Sequence, residues 1–354
     1  MRWKTLQKLS IRRHLIAKHP YITTIVLLII AAIASVMVGS VFISPITILQ
    51  VMARRLVNLD LTSAQQTVSV ILFQLRLPRT ALIALTGAAL AGSGGAYQGL
   101  FRNPLADPYL IGVASGAGLG AIIAMSIHWP YTFGGLLAVP VAAFLAAIVT
   151  VILVYSLARV GRTAPTTNLI LAGVALGAFA TAVTSFLMLR SQGDLHQAIA
   201  WLLGGGNLGG WNPILACLPY IVIGLVVLVA YGHTLNVLQF GDEQAQQLGI
   251  PVEKVRWIII IAASLTTAAA VAFSGIIGFV GLIITHIIRL AWGADYRRLL
   301  PLSIISGAWL LLFADVLARV AIAPQEIPVG IVTALGGAPF FLWILRRAKS
   351  QAFW

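Results

Sequence analysis

Few side chains in this 354-residue sequence could do chemistry, and they do not form the patterns that enzymes use. No glycine is followed by lysine, so the phosphate-binding loop G-x-x-x-x-G-K-[ST] is absent. The zinc-hydrolase pattern H-E-x-x-H and the serine-hydrolase pattern G-x-S-x-G are absent as well. We therefore expect no catalytic residue, no metal site and no cofactor bound by this chain.

Asp315 and His286 are ionisable side chains inside long apolar runs, where a charge is costly. Asp315 precedes Arg319 by four residues, which predicts an i,i+4 ion pair on one helix. The alternative is a proton relay in an ion-coupled secondary carrier, because such carriers hold ionisable residues near the middle of the membrane. For His286 we expect a neutral, hydrogen-bonded imidazole rather than a metal ligand.

The segment Arg76-Leu77-Pro78-Arg79 precedes a long uncharged run. Proline is tolerated in the first turn of a helix, and residues three apart share a face, so this segment predicts the mouth of a membrane helix. From Thr80 to Phe101 the run is long enough, at about 1.5 Å per residue, to cross a hydrocarbon core of roughly 30 Å. Arg102 is expected to end this helix on the far side.

The elements that position these residues follow from composition. The chain is 60% hydrophobic and 9% charged, with a mean hydropathy of +0.98, which is typical of a polytopic membrane protein. Continuous apolar runs favour helices over the alternating strands of a barrel, so the expected fold is all-α and forms one integral domain over residues 1–354. About ten spans are predicted, near 21–42, 79–100, 109–127, 131–157, 166–188, 211–232, 256–274, 276–292, 300–321 and 328–345.

The net charge of +14 does not indicate nucleic acid binding, because the basic residues fall at span ends. With both termini in the cytoplasm, most Lys and Arg lie on the inner side, as the positive-inside rule requires, and residues 1–20 form a basic cytoplasmic segment. The exceptions on the outer side are Arg54, Arg55, Arg76, Arg79, Arg190 and Arg319. Contact with lipid headgroups is one explanation for them.

Two polar stretches are longer than a simple turn. In the outer one, Ser44 to Gln74, the spacing of Ile48, Val51 and Met52 predicts a short amphipathic helix. The inner stretch, residues 235–255, predicts a short capped helix, either a partner-binding element or a mere connector. Its features are Asp242 and Glu243 at the N-terminus, Ala245 and Leu248 on one apolar face, and Gly249 at the stop.

Small residues recur in several spans, and we interpret them as helix-packing positions. A short echo joins Ala91-Gly92-Ser93-Gly94 to Ala272-Phe273-Ser274-Gly275, and an offset of five spans would make it part of an inverted repeat. Cys217 is the only cysteine, so no internal disulfide is expected.

Several motifs taken together resemble the FecCD-type permeases, the membrane subunits of type II ABC importers for iron siderophores, haem and cobalamin. The motifs are Arg76-Leu77-Pro78-Arg79, Arg102-Asn103-Pro104-Leu105-Ala106-Asp107-Pro108, the segment Gly241 to Gly249, Gly278-Phe279-Val280-Gly281-Leu282, and the run from Ile327 to Phe340. The resemblance extends from about Ser44 to Arg347.

The resemblance implies ten helices in the prokaryotic cytoplasmic membrane and a dimer with an identical or closely related permease around one pathway. It also implies two cytoplasmic ATPases, which use ATP and Mg²⁺, and an extracytoplasmic substrate-binding protein. By the same resemblance, Arg76, Arg79 and Arg319 dock the binding protein, and Asp242, Glu243, Ala245, Leu248 and Gly249 belong to the coupling helix that seats in the ATPase. Asn103, Leu105, Thr166 and Thr167 correspond to the cytoplasmic gate.

One position departs from the family pattern. Thr285 stands before His286, where these permeases usually have proline, so a helix kink is not expected there. The motifs are shared by siderophore, haem and cobalamin permeases and do not distinguish between these substrates.

Overall fold

The computed structural model describes residues 19–39, 41–57, 59–127, 133–161, 163–190, 195–206 and 209–349. Nearly all of the basic segment predicted for residues 1–20 lies outside these ranges. Within them the chain is helical, and the pairing of extended backbone is confined to two isolated bridges, Val160 with Thr163 and Ile322 with Gln325. The all-α prediction is confirmed.

The helices are α1 Pro20–Met37, α2 Pro45–Leu56, α3 Ser63–Val70, α4 Leu77–Phe101, α5 Val113–Met125, α6 Phe133–Ala158, α7 Thr166–Arg190, α8 Leu195–Leu202, α9 Asn212–Ala230, α10 Gly232–Leu238, α11 Asp242–Gln247, α12 Val252–Ser274, α13 Val280–Trp292, α14 Tyr296–Val320 and α15 Val329–Lys349. A π-helical segment, Ile71–Arg76, joins α3 to α4, and a 3₁₀ turn, Pro108–Ile111, precedes α5.

Ten of these helical paths correspond in order to the ten predicted spans. Seven are long and apolar enough to cross a membrane: α1, the path Ser63–Phe101, α6 from Leu137, α7, α9, α12 and α14. Three are shorter apolar helices, α5, α13 and α15 as far as Ile344. The chain is therefore a multi-pass membrane protein.

The α-helix of the second span begins at Leu77 with Pro78 in its first turn, as predicted. It does not follow a loop, because helical structure is continuous from Ser63 to Phe101. Thr62 begins it with a capping box, in which its hydroxyl accepts from the Gln65 amide and the Gln65 side chain accepts from the Thr62 amide. Pro78 has no backbone N–H to donate within the helix. The π-helical segment just before it shifts the hydrogen-bond register, so helical structure continues through the proline. The predicted end is correct, since Arg102 is a left-handed C-cap with φ 51°.

A close crossing of α4 and α14 organises the core. A Cβ added at Gly87 would lie 2.2 Å from the Gly307 carbonyl oxygen, so the two backbones touch at this point. The helices are antiparallel, because Arg79 contacts Asp315 on one side of the crossing and Gly99 packs against Tyr296 on the other. Arg79 and Asp315 each lie eight residues, or about 12 Å, from the crossing glycine of their own helix. One packing contact thus sets the register at both ends of the molecule.

The helix lengths repeat after five spans. Helices α4, α5, α6 and α7 contain 25, 13, 26 and 25 residues, and α12, α13, α14 and α15 contain 23, 13, 25 and 21. Both 13-residue helices begin after a left-handed residue, Gly112 with φ 83° and Phe279 with φ 69°. An odd number of spans between the two sets makes them inverted, as in many transporters. The register taken from the short sequence echo is wrong, because Ser93 lies in the middle of α4 whereas Ser274 is the last residue of α12.

The amphipathic helix predicted in the first polar stretch is present as α2. The Ser44 side chain caps it by accepting from the Thr47 amide. Val51 is fully buried in a small apolar cluster with Ile43 and Leu72. Helix α2 therefore packs against the π-helical segment that leads to Arg76.

Candidate functional site

A cavity of about 780 Å³ opens at the end of the bundle that carries Arg76, Arg79 and Arg319. We call this the arginine end. The three arginines line the cavity together with His196 and Glu326. Apolar residues and glycines complete it, from the segments around α8, the start of α15, the chain just after α1 and the π-helical segment. The α4–α14 crossing brings Arg79 and Arg319 to this end, although they are 240 residues apart in the sequence.

Two of these arginines hold the end of α1. Arg76 donates through Nη1 to the carbonyls of Val36, 2.7 Å, and Met37, 2.8 Å. Arg319 donates to the carbonyls of Val38, 2.7 Å, and Ser35, 3.1 Å. The last turn of a helix leaves carbonyls without internal partners and carries partial negative charge, so guanidinium groups suit this position. Arg76 and Arg319 are only 7% and 4% exposed because they are engaged in this way.

Arg79 joins two acids. Asp315 Oδ1 accepts from Nε of Arg79 at 3.0 Å and from Nη2 at 2.8 Å, and the Asp315 side chain is fully buried. Glu326 Oε2 lies 2.6 Å from Nη1 of Arg79, and its side chain is 44% exposed. Asp315 Oδ2 also lies 3.0 Å from Nε of Arg319. The predicted pair of Asp315 with Arg319 is confirmed, and Arg79 is a second cation on the same acid.

The structure thus brings together the three arginines predicted to dock a binding protein, but in unequal environments. Arg79 reaches the surface, with 19% of its side chain exposed, whereas Arg76 and Arg319 lie beneath it. Their common role in docking stays a prediction.

The opposite end carries α10 and α11, and we call it the short-helix end. Asp242, the first residue of α11, lies between two arginines: Oδ2 is 2.8 Å from Nη2 of Arg256, and Oδ1 is 3.5 Å from Nη2 of Arg102. Arg256 is buried and also pairs with Glu253. Because Arg102 caps α4, the short helix α11 is tied by charge to the end of a long membrane helix.

Helix α10 contributes further ties at this end. The Gln239 side chain donates to the Gly99 carbonyl of α4 at 2.8 Å, and Asn236 donates to Asp295 at 2.7 Å. Asp295 caps α14 by accepting from the Arg297 amide. Hydrogen bonds from Arg297 and Asn236 hold the pKa of Asp295 well below its usual range.

The capped helix predicted near residues 242–249 is present, but its predicted apolar face is wrong. Ala245 is fully buried, whereas Leu248 is 66% exposed. The helix ends at Gln247, so Leu248 is the C-cap and Gly249 follows with φ 82°. Phe240, just before α11, is 69% exposed, and together with Leu248 and the exposed Glu243 it forms the outward surface of this end.

The residues predicted to form a gate lie on two stretches of chain whose continuations pack together. Asn103 makes an Asx turn, in which its side chain accepts from the Leu105 amide at 2.9 Å. Thr166 and Thr167 begin α7. Two turns further along α7, a Cβ at Gly173 would lie 2.0 Å from the Leu110 carbonyl, so α7 packs against the 3₁₀ turn that follows the Asn103 loop. The gate role itself stays a prediction.

Comparison with known proteins identifies the family. Residues 27–347 match the FecCD transport family. The chain belongs to this family. It is 44% identical over 287 residues to the cobalamin import system permease protein BtuC of Halobacterium salinarum, covering 81% of this chain and 76% of that protein. It is 38% identical over 333 residues to the hemin transport system permease protein HmuU of Yersinia pestis, covering 92% and 95%.

A solved structure has the same fold. It shows an inward-facing conformation of an ABC transporter assigned to the metal-chelate type, with a TM-score of 0.77 and 30% identity over 93% of this chain and 99% of that one. The family match over residues 27–347 includes both the arginine end and the short-helix end.

Thr285, at the position where the family resemblance implies proline, has a defined contact. Its hydroxyl lies 2.6 Å from the Gly281 carbonyl and 3.0 Å from Oε1 of the buried Gln98. Arg289 donates to the same Gln98 oxygen at 3.1 Å. Threonine therefore links α13 to α4 by a side-chain hydrogen bond that proline could not make.

Several contacts were missed by reasoning from the sequence. They include the pairing of Glu326 with Arg79, the pairing of Asp242 with Arg102 and Arg256, and the bond from Gln239 to Gly99. The sequence contained a hint of the pairing of Glu326 with Arg79, since Glu326 is an acid in the connection that follows Arg319. The other two depend on how α10 and α11 fold back onto α4, which no local pattern specifies.

Proposed function

We propose that this chain is the permease subunit of an ATP-driven importer that moves a metal chelate such as a ferric siderophore, haem or cobalamin across the cytoplasmic membrane. The observation that carries the proposal is the α4–α14 pair in a FecCD chain, with a cationic cavity at one end and an exposed short helix at the other. The relatives named for cobalamin and hemin transport support this substrate class.

In the proposed orientation, the arginine end faces outward and the short-helix end faces the cytoplasm, as do both termini. A substrate-binding protein docks at the arginine end. Arg79 makes the direct contact, while Arg76 and Arg319 fix the end of α1 beneath it. The cavity of about 780 Å³ receives the released substrate.

At the cytoplasmic side, two ATPase subunits bind the short-helix ends of two permease chains, which are identical or closely related. Phe240, Glu243 and Leu248 offer exposed apolar and acidic contacts for this partner. Ala245 and Gly249 shape the helix, because Ala245 is buried against the bundle and Gly249 allows the left-handed stop. Asn103, Leu105, Thr166 and Thr167 form the inner gate.

Few residues in the described spans could support an ion-coupled mechanism. Asp315, which lies within α14, is paired with both Arg79 and Arg319. A coupling ion would have to displace two guanidinium groups from this buried acid.

The test is gentle-detergent purification of the tagged chain, quantitative mass spectrometry of its partners, and reconstitution into liposomes. We expect a nucleotide-binding ATPase at equal stoichiometry and ATP-dependent uptake of labelled haem, cobalamin or a ferric siderophore. Purification of the chain alone, with uptake driven by an ion gradient, would contradict the proposal.

A matched pair of variants locates the ATPase contact. Leu248→Asp changes a side chain that is 66% exposed at the short-helix end, and Ile322→Asp changes one that is 60% exposed at the arginine end. We expect Leu248→Asp to lose the copurifying ATPase and Ile322→Asp to keep it. Equal retention by both variants would move the ATPase contact away from α11.

A further inference from the structure

Arg79 pairs with two acids, of which Asp315 is buried and stays in place while Glu326 is exposed and can be displaced. Asp315 is fully buried and shared with Arg319, so separating it from its cations would leave an unpaired buried charge. Glu326 is 44% exposed and lies in the irregular connection between α14 and α15. Among the described residues, Arg79 is its one ion-pair partner.

The geometry of the guanidinium decides which side of Arg79 is accessible. Nε and Nη2 are directed at Asp315 in the interior. Nη1 is directed at Glu326, which lines the cavity. Since a guanidinium binds carboxylates along its N–H edges, an acid arriving from outside meets the position that Glu326 already occupies.

Building on the proposed function, we infer that Glu326 is a resident carboxylate that holds the docking side of Arg79, and that an acidic side chain of the substrate-binding protein replaces it on docking. The exchange keeps Arg79 paired with two acids in both states. The net free energy of the new contact is therefore small, which suits a partner that must dock and leave in every transport cycle.

The resident acid also has a role when no partner is present. Three arginines line the cavity, and a cationic cleft concentrates anions. Glu326 and Asp315 offset two of the three positive charges, which limits the occupation of the cavity mouth by adventitious anions.

The experiment measures docking kinetics. The permease–ATPase complex is held in nanodiscs, and the probe is the substrate-binding protein recovered with the wild-type complex. We expect Glu326→Gln to bind about 5- to 10-fold more tightly, mainly through slower dissociation, because the competing charge is gone. Glu326→Asp, which keeps the charge but shortens the reach to Arg79, should also bind more tightly.

Asp60→Asn is the matched control, because it removes the same charge from the loop that leads into α3 and so to the arginine end. We expect it to bind like the wild type. In the Arg79→Gln background, binding should be weaker and Glu326→Gln should give no further gain. Tryptophan fluorescence on heating verifies that each variant is folded.

The outcomes separate this inference from the proposed function. Equal or weaker docking by folded Glu326→Gln would show that Glu326 only positions Arg79, and it would overturn the exchange. An equal gain in the Arg79→Gln background, or in Asp60→Asn, would assign the effect to overall charge and would also overturn it. Absence of docking by the wild-type complex would instead refute the proposed partner.

Discussion

The two ends of the molecule hold their charges differently. At the arginine end, the guanidinium groups of Arg76 and Arg319 are buried and bound to backbone carbonyls, and the carboxylate of Asp315 is fully buried. At the short-helix end, the side chains of Arg102 and Asp242 are 42% and 40% exposed, and their atoms are 3.5 Å apart. Buried pairs resist separation, whereas exposed pairs contribute little free energy. The first end is therefore a fixed platform. At the second end the contact of α11 with α4 is weak, and the buried Arg256 of α12 holds Asp242 more firmly.

The largest effect is expected from Asp315→Ala. The variant leaves the guanidinium groups of Arg79 and Arg319 without their shared buried partner, and breaking a buried ion pair costs about 3–5 kcal/mol of stability. We expect a much lower unfolding temperature and poor yield, measured by size exclusion and thermal unfolding in detergent. Glu326→Ala, which removes the exposed partner of Arg79, is the control and should unfold near the wild-type temperature. Equal losses in the two variants would contradict the contrast between buried and exposed acids.

A smaller loss is expected from Gly87→Ala. The added Cβ would meet the backbone of Gly307 at 2.2 Å, and overpacking typically costs about 1–3 kcal/mol. Gly336→Ala is the control, since the position on α15 has open space around it. Thermal unfolding compares the two variants. If Gly87→Ala were as stable as Gly336→Ala, the crossing would not set the register of the platform.

At the short-helix end we expect a change in coupling rather than in stability. Arg102→Gly removes the contact with Asp242 but suits the left-handed backbone, so the free energy of unfolding should change by less than about 1 kcal/mol. The measurement is substrate transported per ATP hydrolysed in proteoliposomes, which should fall while hydrolysis continues. Arg102→Lys keeps the charge and should retain more transport. Unchanged transport in Arg102→Gly would show that α11 acts on α4 through other contacts, such as Gln239.

The smallest effect concerns pH. The pKa of Asp295 is lowered in the folded chain, so its ionised form stabilises the fold above its unfolded pKa of about 4, and this contribution is lost progressively as the pH falls from that value through the lower folded pKa. Asp295→Asn should therefore show a shallower fall in unfolding temperature below about pH 4. Parallel curves for the two proteins would indicate that the contacts of Asp295 with Arg297 and Asn236 are too exposed to matter.

The sequence predicted the all-α class, the ten apolar helices and the pair of Asp315 with Arg319, because apolar length and i,i+4 spacing are local properties. It did not show that helical structure continues back to Ser63, since the π-helical segment before Pro78 leaves no local pattern. It also gave Ala245 and Leu248 the same environment, because helix periodicity does not show where so short a helix ends. The partners of Arg79 and Asp242 come from distant segments, and only the packing of α4, α12 and α14 brings them together.

The crossing of Gly87 and Gly307 also determines how the two ends tolerate insertions and deletions. Removing one residue between Arg79 and Gly87 would turn Arg79 by about 100° around the axis of α4, away from Asp315. The segment from Gly87 to Gly99 would keep its phase, so the contact of Gly99 with Tyr296 would remain. A change of length on one side of the crossing therefore leaves the contacts on the other side in register. A change at Gly87 or Gly307 disturbs the contacts on both sides.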